Sequence, residues 1–240
     1  MTHLIHSIGI GTGDPELITM KAKRLLEESD MVFVPQSNLQ GKSIAREIVL
    51  HYIPESKISM YYFPMNNNKE ELAEKYHGLA KQMVGFCKEG KKLSYVSMGD
   101  PTIFSTSNYL TERLVSQGAS VEHIPGINTI NAASTKLGLP LCVKGENFAV
   151  YEMPDSISRA VELIQNHSTT VFMKVNKKLS VLLEAVKLAT PEIAFLARRM
   201  GLDNEMVFDL TNDSNPPDAA YLSVAVIKQH KNDYCNHSNS

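Results

Sequence analysis

The sequence has little cysteine: Cys87, Cys142 and Cys235 are the only three among its 240 residues. An odd, scattered set of cysteines argues against a disulfide framework and indicates a reducing compartment. The first residues also lack the basic start, the long apolar stretch and the small-residue cleavage site of a secretory signal. From these features we expect a cytoplasmic protein.

Long apolar runs and an excess of one charge are missing as well. No stretch reaches the ~18 consecutive apolar residues that a membrane-spanning helix requires. The formal net charge is -2, which gives no electrostatic support for binding nucleic acid. We therefore expect neither a membrane nor a nucleic acid as partner.

Common catalytic motifs are absent too. The sequence has no G-x-S-x-G elbow and no H-E-x-x-H helix. Gly41-Lys42-Ser43 is similar to the end of a phosphate-binding loop, but Gln36 stands where that loop needs glycine, so the segment predicts a helix start. A polar chain terminus is the simpler explanation for the cluster of His230, Cys235 and His237. We predict no metal site.

Short β-rich runs that end in Gly, Pro or Asp alternate with amphipathic helical stretches. This order is typical of an α/β protein with a largely parallel sheet. The order then restarts, which predicts an N-terminal lobe over residues 1–118, a C-terminal lobe over 119–230 and a tail over 231–240. The last two strands, near 206–210 and 221–227, have no helix between them, so we expect an antiparallel ending.

The strongest local feature is the glycine-rich turn Gly9-Ile10-Gly11-Thr12-Gly13-Asp14-Pro15, between a predicted strand and a predicted helix. The dinucleotide motif G-x-G-x-x-G needs glycine where Asp14 stands, and a carboxylate there repels a pyrophosphate. Asp14 is instead the expected helix N-cap, with Pro15 as the first helical residue. A tight turn explains some of the glycine. Three glycines in five residues exceed that need and favour close approach to a ligand.

Two further turns follow predicted strands. Open α/β sheets bind ligands at the carboxyl ends of their strands, so Asp100 in Gly99-Asp100-Pro101 is a candidate for contact with ribose hydroxyls or for a place near a cation. A helix cap explains the same Asp-Pro pair equally well. The third turn, Pro125-Gly126-Ile127-Asn128-Thr129, leads into small side chains that admit a flat ligand or allow tight helix-to-sheet packing.

Together, the three turns, the strand Thr170-Val171-Phe172-Met173 and an apolar strand near Tyr221 resemble the tetrapyrrole (corrin/porphyrin) methylase family over about residues 4–228. The resemblance implies two α/β lobes with mostly parallel sheets and S-adenosylmethionine in a cleft between the lobes. It places the glycine-rich turn against the tetrapyrrole. The implied cofactor contacts are Met98, Gly99, Asp100, Ile103, Asn128, Thr129, Met173 and Tyr221, and the implied substrate contacts are Gly9, Gly11, Gly13, Asp14 and Pro15.

Within the family, the chain is similar to the members that methylate carbon 20 of precorrin-2 or cobalt-factor II. The segments that carry this similarity include Phe33-Val34-Pro35-Gln36-Ser37, Tyr62-Phe63-Pro64-Met65, Phe172-Met173-Lys174-Val175, and Ser105-Thr106 followed by Tyr109-Leu110. The similarity implies methyl transfer in cobalamin biosynthesis by a homodimer. Alternatives are methylation of another ring carbon or of a modified protein residue, and a non-catalytic nucleotide-binding module. The sequence does not decide whether the substrate already holds cobalt.

Such a methyl transfer depends mainly on aligning donor and acceptor and on excluding water. If a base removes a proton afterwards, Asp100 and Tyr221 are the candidates, and the sequence assigns the role to neither. The substrate class bears many carboxylates, which suit basic side chains. Solvated surface charge is the alternative role for the basic candidates, which are Lys42, Arg46, Arg198 and Arg199. Asn128 and the Arg198-Arg199 pair depart from the residues usual in the family.

Overall fold

The protein is described by a computed structural model, which covers residues 3–36, 43–62, 69–212, 216 and 222–229. The chain divides into two compact units, Met1–Asn128 and Thr129–Ser240, here called the first and the second unit. The division lies later than the boundary predicted near residue 118. The reason is that the strand Ala119–Ile124 pairs in parallel with the strand His3–Gly9 and so belongs to the first sheet.

The first unit contains a five-stranded sheet in the order β3-β2-β4-β1-β5, and every neighbouring pair is parallel. Its strands are β1 (His3–Gly9), β2 (Met31–Gln36), β3 (Ile58–Tyr62), β4 (Leu93–Ser97) and β5 (Ala119–Ile124). Its α-helices are α1 (Met20–Glu28), α2 (Ile44–Val49), α3 (Lys69–Lys88) and α4 (Ser107–Ser116), and short 3-10 turns occupy Pro15–Leu17 and Glu55–Lys57.

Helices cover both faces of this sheet, and the strand sequences reflect it. In β2, Val32 and Val34 pack with the apolar residues of α1 and α2, whereas Phe33 packs with those of α3 and α4. All three side chains are buried. Burial on both faces explains why the strand is a continuous apolar run instead of an alternating one.

The segment after the glycine-rich turn differs from the single helix that the sequence predicts. Asp14 does act as an N-cap, because its Oδ1 accepts a hydrogen bond from the Glu16 amide at 2.8 Å, but it caps only the 3-10 turn. The α-helix begins at Met20, where the hydroxyl of Thr19 accepts from the Ala22 amide at 3.2 Å. Thr19 is therefore the N-cap of the α-helix, a position at which threonine is one of the favoured residues.

The second unit has a mixed sheet in the order β6-β7-β10-β8-β9. Its strands are β6 (Phe148–Glu152), β7 (Thr169–Met173), β8 (Ile193–Arg198), β9 (Met206–Asp209) and β10 (Ser223–Lys228). Its helices are α5 (Thr129–Leu137), α6 (Ile157–Gln165) and α7 (Leu179–Ala189), with a 3-10 turn at Val175–Lys177. The β6–β7 pair is parallel, and β10 runs antiparallel to both of its neighbours. The predicted α/β class is confirmed. The predicted antiparallel ending is only partly right, because β9 and β10 do not pair with each other and instead each run antiparallel to β8, on opposite sides of it.

A buried lysine attaches the loop after α5 to this sheet. The Lys228 side chain is only 1% exposed, and its Nζ donates to the Pro140 carbonyl at 2.8 Å and to Glu146 Oε2 at 3.5 Å. The same Glu146 oxygen accepts from the Val143 amide at 3.0 Å. A buried charge needs partners of this kind, so the loop and the strand depend on each other.

Replacing Lys228 with alanine is expected to lower the free energy of unfolding by about 3 kcal/mol, because it leaves the Glu146 carboxylate without its buried cation. Urea unfolding followed by circular dichroism measures the change. The control is Lys187→Ala on the exposed side of α7, which should change stability by less than about 0.5 kcal/mol. Equal stabilities for the two variants would show that Lys228 does not hold the loop.

Candidate functional site

The three turns singled out in the sequence meet at one edge of the first sheet. Strands β4, β1 and β5 are neighbours and parallel, so the turns that follow them emerge at the same side, here called the carboxyl edge. The Gly99 amide donates to the Gly11 carbonyl at 2.7 Å, which joins the first and second turns. The Gly126 amide donates to Asp100 Oδ2 at 3.1 Å, which joins the second and third turns.

Backbone packing at the carboxyl edge is too close for side chains. A Cβ added at Gly9 would lie 2.6 Å from the Gly99 carbonyl oxygen and 2.7 Å from the Gly126 nitrogen. A Cβ added at Gly126 would lie 2.1 Å from the Gly99 oxygen. The backbones of Gly9, Gly99 and Gly126 therefore touch one another, an arrangement here called the glycine contact. Gly11 is needed for a different reason, since its φ of +80° is one that other residues rarely adopt.

Both carboxylate oxygens of Asp100 are engaged in holding these turns. Oδ1 accepts from the Thr102 amide at 2.8 Å and from the Thr102 hydroxyl at 2.5 Å, while Oδ2 accepts from the Gly126 amide. Burial alone would raise the pKa of Asp100, but the hydrogen bonds from Thr102 and Gly126 outweigh it and hold the pKa below its usual range. An ionised carboxylate of low pKa is a weak base. Asp100 is therefore better suited to holding the turns in place than to removing a proton from a substrate.

The other predicted cofactor contacts occupy several places. Met98 packs against the apolar cluster beneath α1 and α2, and the Ile103 amide lies 3.5 Å from the Asp100 carbonyl oxygen. A Cβ on Gly99 would lie 3.7 Å from Asn128 Cα, which puts these two turns side by side. Thr129 begins α5 and Met173 ends β7, both in the second unit. Tyr221 lies outside the described residues.

The basic residues proposed for carboxylate binding have identifiable contacts. Arg46 is ion-paired with Glu55 beside α2. The Arg199 Nε donates to the Asp203 carbonyl at 3.3 Å, and its neighbour Arg198 ends β8. Lys42 lies outside the described residues. A role for these side chains in substrate binding stays a prediction.

Sequence reasoning named the turn that contains Gly126 but did not count that glycine as a site residue. The proline-glycine pair directly after a strand was the available signal. Position 126 requires glycine because the Gly99 carbonyl oxygen lies against it. The sequence alone does not show this contact, since Gly99 is distant in sequence. Thr102, which holds Asp100, was also missed.

Within the ranges that the structure describes, no helix is long and apolar enough to cross a membrane. In the same ranges, no group of three or more His, Cys, Asp or Glu side chains is placed to hold a metal ion.

The sequence profile of the family Tetrapyrrole (Corrin/Porphyrin) Methylases matches residues 4–213 of the chain. A protein of Methanocaldococcus jannaschii named probable cobalt-precorrin-2 C(20)-methyltransferase is 31% identical, over 95% of this chain and 96% of its own length. The cobalt-precorrin-2 C(20)-methyltransferase of Salmonella typhimurium is 27% identical, over 73% of this chain and 74% of its own length.

Among solved structures, the fold is similar to uroporphyrin-III C-methyltransferase from Thermus thermophilus in complex with S-adenosylhomocysteine. The TM-score is 0.62 at 20% identity, and the match covers 94% of this chain and 97% of that protein. The family profile covers most of the chain, and the Methanocaldococcus jannaschii relative is of nearly equal length. The chain belongs to the tetrapyrrole methylase family.

Gly126→Ala is expected to destabilise the protein by more than about 3 kcal/mol, because the new methyl group overlaps the Gly99 carbonyl and overpacks the edge. Gly78→Ala is the matched control, since it adds the same methyl group within α3 where nothing lies within 4 Å. That control should gain about 0.5–1 kcal/mol from helix propensity. Thermal unfolding of both variants measures the contrast, and a Gly126→Ala protein as stable as wild type would disprove the glycine contact.

Proposed function

We propose that this protein transfers a methyl group from S-adenosylmethionine to carbon 20 of precorrin-2 or its cobalt-containing form, in cobalamin biosynthesis. The observation that carries the proposal is the likeness to the Methanocaldococcus jannaschii relative, which extends over nearly the full length of both chains. The Salmonella typhimurium relative bears a name of the same specificity. We further propose that the protein is cytoplasmic and that it forms a homodimer. Light scattering tests the homodimer, which would have a mass of twice 26.7 kDa.

The proposed cofactor contacts in the first unit are Met98, Gly99, Asp100, Ile103 and Asn128. Gly99 carries no side chain, and a Cβ built there would lie 3.7 Å from Asn128 Cα, which is an ordinary van der Waals distance, so one added carbon fits at this position without overlap. Each oxygen of an ionised carboxylate accepts two hydrogen bonds, and among the described residues Asp100 Oδ2 accepts one, from the Gly126 amide. This chemistry suits a ribose hydroxyl. Thr129 and Met173 are the proposed contacts from the second unit.

When bound, S-adenosylmethionine would supply a methyl group on a sulfonium for attack by an electron-rich ring carbon; the methyl–sulfur bond would break and S-adenosylhomocysteine would leave. The residues of this chain then need to orient the donor and keep water away, and orientation of this kind is worth up to ~7–11 kcal/mol of the barrier in favourable cases. Asp100 contributes by fixing the turn through Thr102 and Gly126. We do not assign the base that would remove a proton after the transfer, and Asp100 and Tyr221 stay the two candidates.

The glycine-rich turn is proposed to contact the tetrapyrrole. Asp14 caps the Glu16 amide, so its carboxylate is held at the start of the 3-10 turn. The hydrogen bond from Gly99 to Gly11 places this turn directly beside the proposed cofactor turn. Donor and acceptor sites on adjoining turns would bring the reacting carbon close to the sulfonium.

The decisive experiment offers labelled S-adenosylmethionine together with metal-free precorrin-2, with cobalt-precorrin-2, and with no tetrapyrrole. We expect one of the two substrates to gain a single methyl group, and nuclear magnetic resonance to locate it on carbon 20. A methyl group on another carbon would retain the reaction class and overturn the assigned position. Binding of S-adenosylhomocysteine without transfer to either tetrapyrrole would favour a nucleotide-binding module.

Gly99→Arg is expected to weaken binding of S-adenosylhomocysteine at least 100-fold, because the side chain would fill the space beside Asn128. Titration calorimetry measures this loss. Gly118→Arg is the matched control, since Gly118 also has a positive φ, +86° against +67° at Gly99, and no atom lies within 4 Å of its added Cβ. Both variants suffer similar backbone strain, and only Gly99→Arg should lose affinity. Equal affinities for the two variants would contradict the proposed cofactor turn.

A further inference from the structure

Two buried hydroxyl groups at the carboxyl edge have no hydrogen-bond partner among the residues that the structure describes. They belong to Thr12, in the glycine-rich turn, and to Ser97, the last residue of β4. Each of these residues is only 6% exposed. A buried hydroxyl without a partner costs free energy of folding, so each of the two calls for an explanation.

The place of Ser97 in the sheet makes it a poor candidate for contact with a ligand. Strand β4 is buried throughout, and Ser97 lies on the same face as Leu93 and Tyr95 because side chains alternate along a strand. Leu93 and Tyr95 pack with the apolar residues of α3 and α4. A ligand could therefore reach this hydroxyl only by separating the sheet from its helices.

Thr12 instead belongs to a turn, and hydrogen bonds hold that turn on both sides of it. On one side, the Gly11 carbonyl accepts from the Gly99 amide at 2.7 Å. On the other side, the Pro15 carbonyl accepts a hydrogen bond from the Tyr52 hydroxyl. The bond from Gly99 also keeps Thr12 beside the turn proposed to bind the methyl donor.

Both chain neighbours of Thr12 are glycines, Gly11 and Gly13. The threonine side chain is stiff about χ1, so a change in its direction has to come from the backbone. Glycine has the widest choice of backbone angles, and a small rotation at these two positions re-aims the Thr12 hydroxyl while the anchors on either side remain. The hydroxyl that is buried in the free protein can thus turn towards a ligand that lies on the turn.

The chemistry of the proposed substrate supplies the missing partner. Its charged groups are carboxylates, which only accept hydrogen bonds, and a threonine hydroxyl donates one. A bond of this kind is charge-assisted and about twice as strong as one between neutral groups. Arg46, one of the basic residues proposed to bind these carboxylates, is already paired with Glu55, so neutral donors become relevant.

We propose that Thr12 is a substrate-binding residue whose hydroxyl donates a hydrogen bond to a carboxylate of the tetrapyrrole. This inference rests on the proposed function and adds a side chain with a specific partner to the glycine-rich turn. The carboxylates take no part in the methyl transfer, so the bond is equally strong before and during the reaction. It therefore strengthens substrate binding without changing the turnover rate.

The test separates the hydroxyl from the shape of the side chain. Thr12→Val removes the hydroxyl and keeps the branched shape, whereas Thr12→Ser keeps the hydroxyl. Thr169→Val is the matched control, because Thr169, at the start of β7 in the second unit, is also buried and its hydroxyl also lacks a partner among the described residues. For each variant, we would measure the melting temperature, the Kd for S-adenosylhomocysteine, and the kcat and KM with whichever of precorrin-2 and cobalt-precorrin-2 the wild-type protein methylates.

We expect Thr12→Val to raise the tetrapyrrole KM about 10- to 100-fold, the size of effect that loss of a hydrogen bond to a charged group produces. Its kcat and its Kd for S-adenosylhomocysteine should change by less than about twofold, because the bond serves substrate binding alone. Its melting temperature should stay level or rise, as in Thr169→Val, since both variants lose an unpaired buried hydroxyl. Thr12→Ser and Thr169→Val should keep the wild-type KM.

Each contrary result has a distinct meaning. An active Thr12→Val protein with the wild-type KM overturns this inference and leaves the proposed function intact. A raised Kd for S-adenosylhomocysteine, or a KM raised as much in Thr12→Ser, would assign the effect to the cofactor or to side-chain shape and overturn it as well. A melting temperature well below that of Thr169→Val would show that the hydroxyl has a partner within the protein, which also overturns it. Lack of turnover in the wild-type protein overturns the proposed function and this inference together.

Discussion

The carboxyl edge of the first unit depends on direct contact between three backbone segments that carry no side chains. The Gly99 carbonyl oxygen lies only 2.6 Å and 2.1 Å from the positions that a Cβ of Gly9 and a Cβ of Gly126 would take. This contact lets the turns after β1, β4 and β5 nest, and it brings the Gly126 amide within reach of Asp100. The hydrogen bonds of Asp100 then define the turn that follows β4. The turn proposed to bind the methyl donor and the turn proposed to bind the tetrapyrrole can therefore lie side by side only because the residues of the glycine contact have no side chains.

The α/β alternation, the parallel first sheet and the three turns could be predicted from the sequence, because strand composition and turn chemistry are local signals. The boundary between the units could not, because the place of β5 is decided by pairing with β1, which is distant in sequence. The break between the 3-10 turn and α1 could not be predicted, because Asp14 and Thr19 can both act as helix N-caps and the sequence does not show at which of them the α-helix begins.

The glycines of the first turn show a further limit of sequence reasoning. Their number favoured close approach to a ligand, but Gly9 is required by the backbones of Gly99 and Gly126, and Gly11 by its own φ. Approach to a ligand and approach to another segment both demand the absence of a Cβ, so the sequence cannot distinguish them. Asp14 and Asp100 are similar cases. For both residues the sequence allowed a helix cap as well as a ligand contact. In the structure each accepts a hydrogen bond from a backbone amide, and their contacts with ligands stay predictions.

The place of β10 in the second sheet has a consequence for how the chain folds as it leaves the ribosome. This strand is the last described in chain order, yet it lies between β7 and β8 and pairs with both. Until it is synthesised, those two strands have unpaired inner edges, and the second sheet consists of two separate parts. The first unit has all of its strands by residue 124 and can fold earlier. Until β10 emerges, the open edges of β7 and β8 are thus the part of the second sheet most exposed to wrong strand pairing.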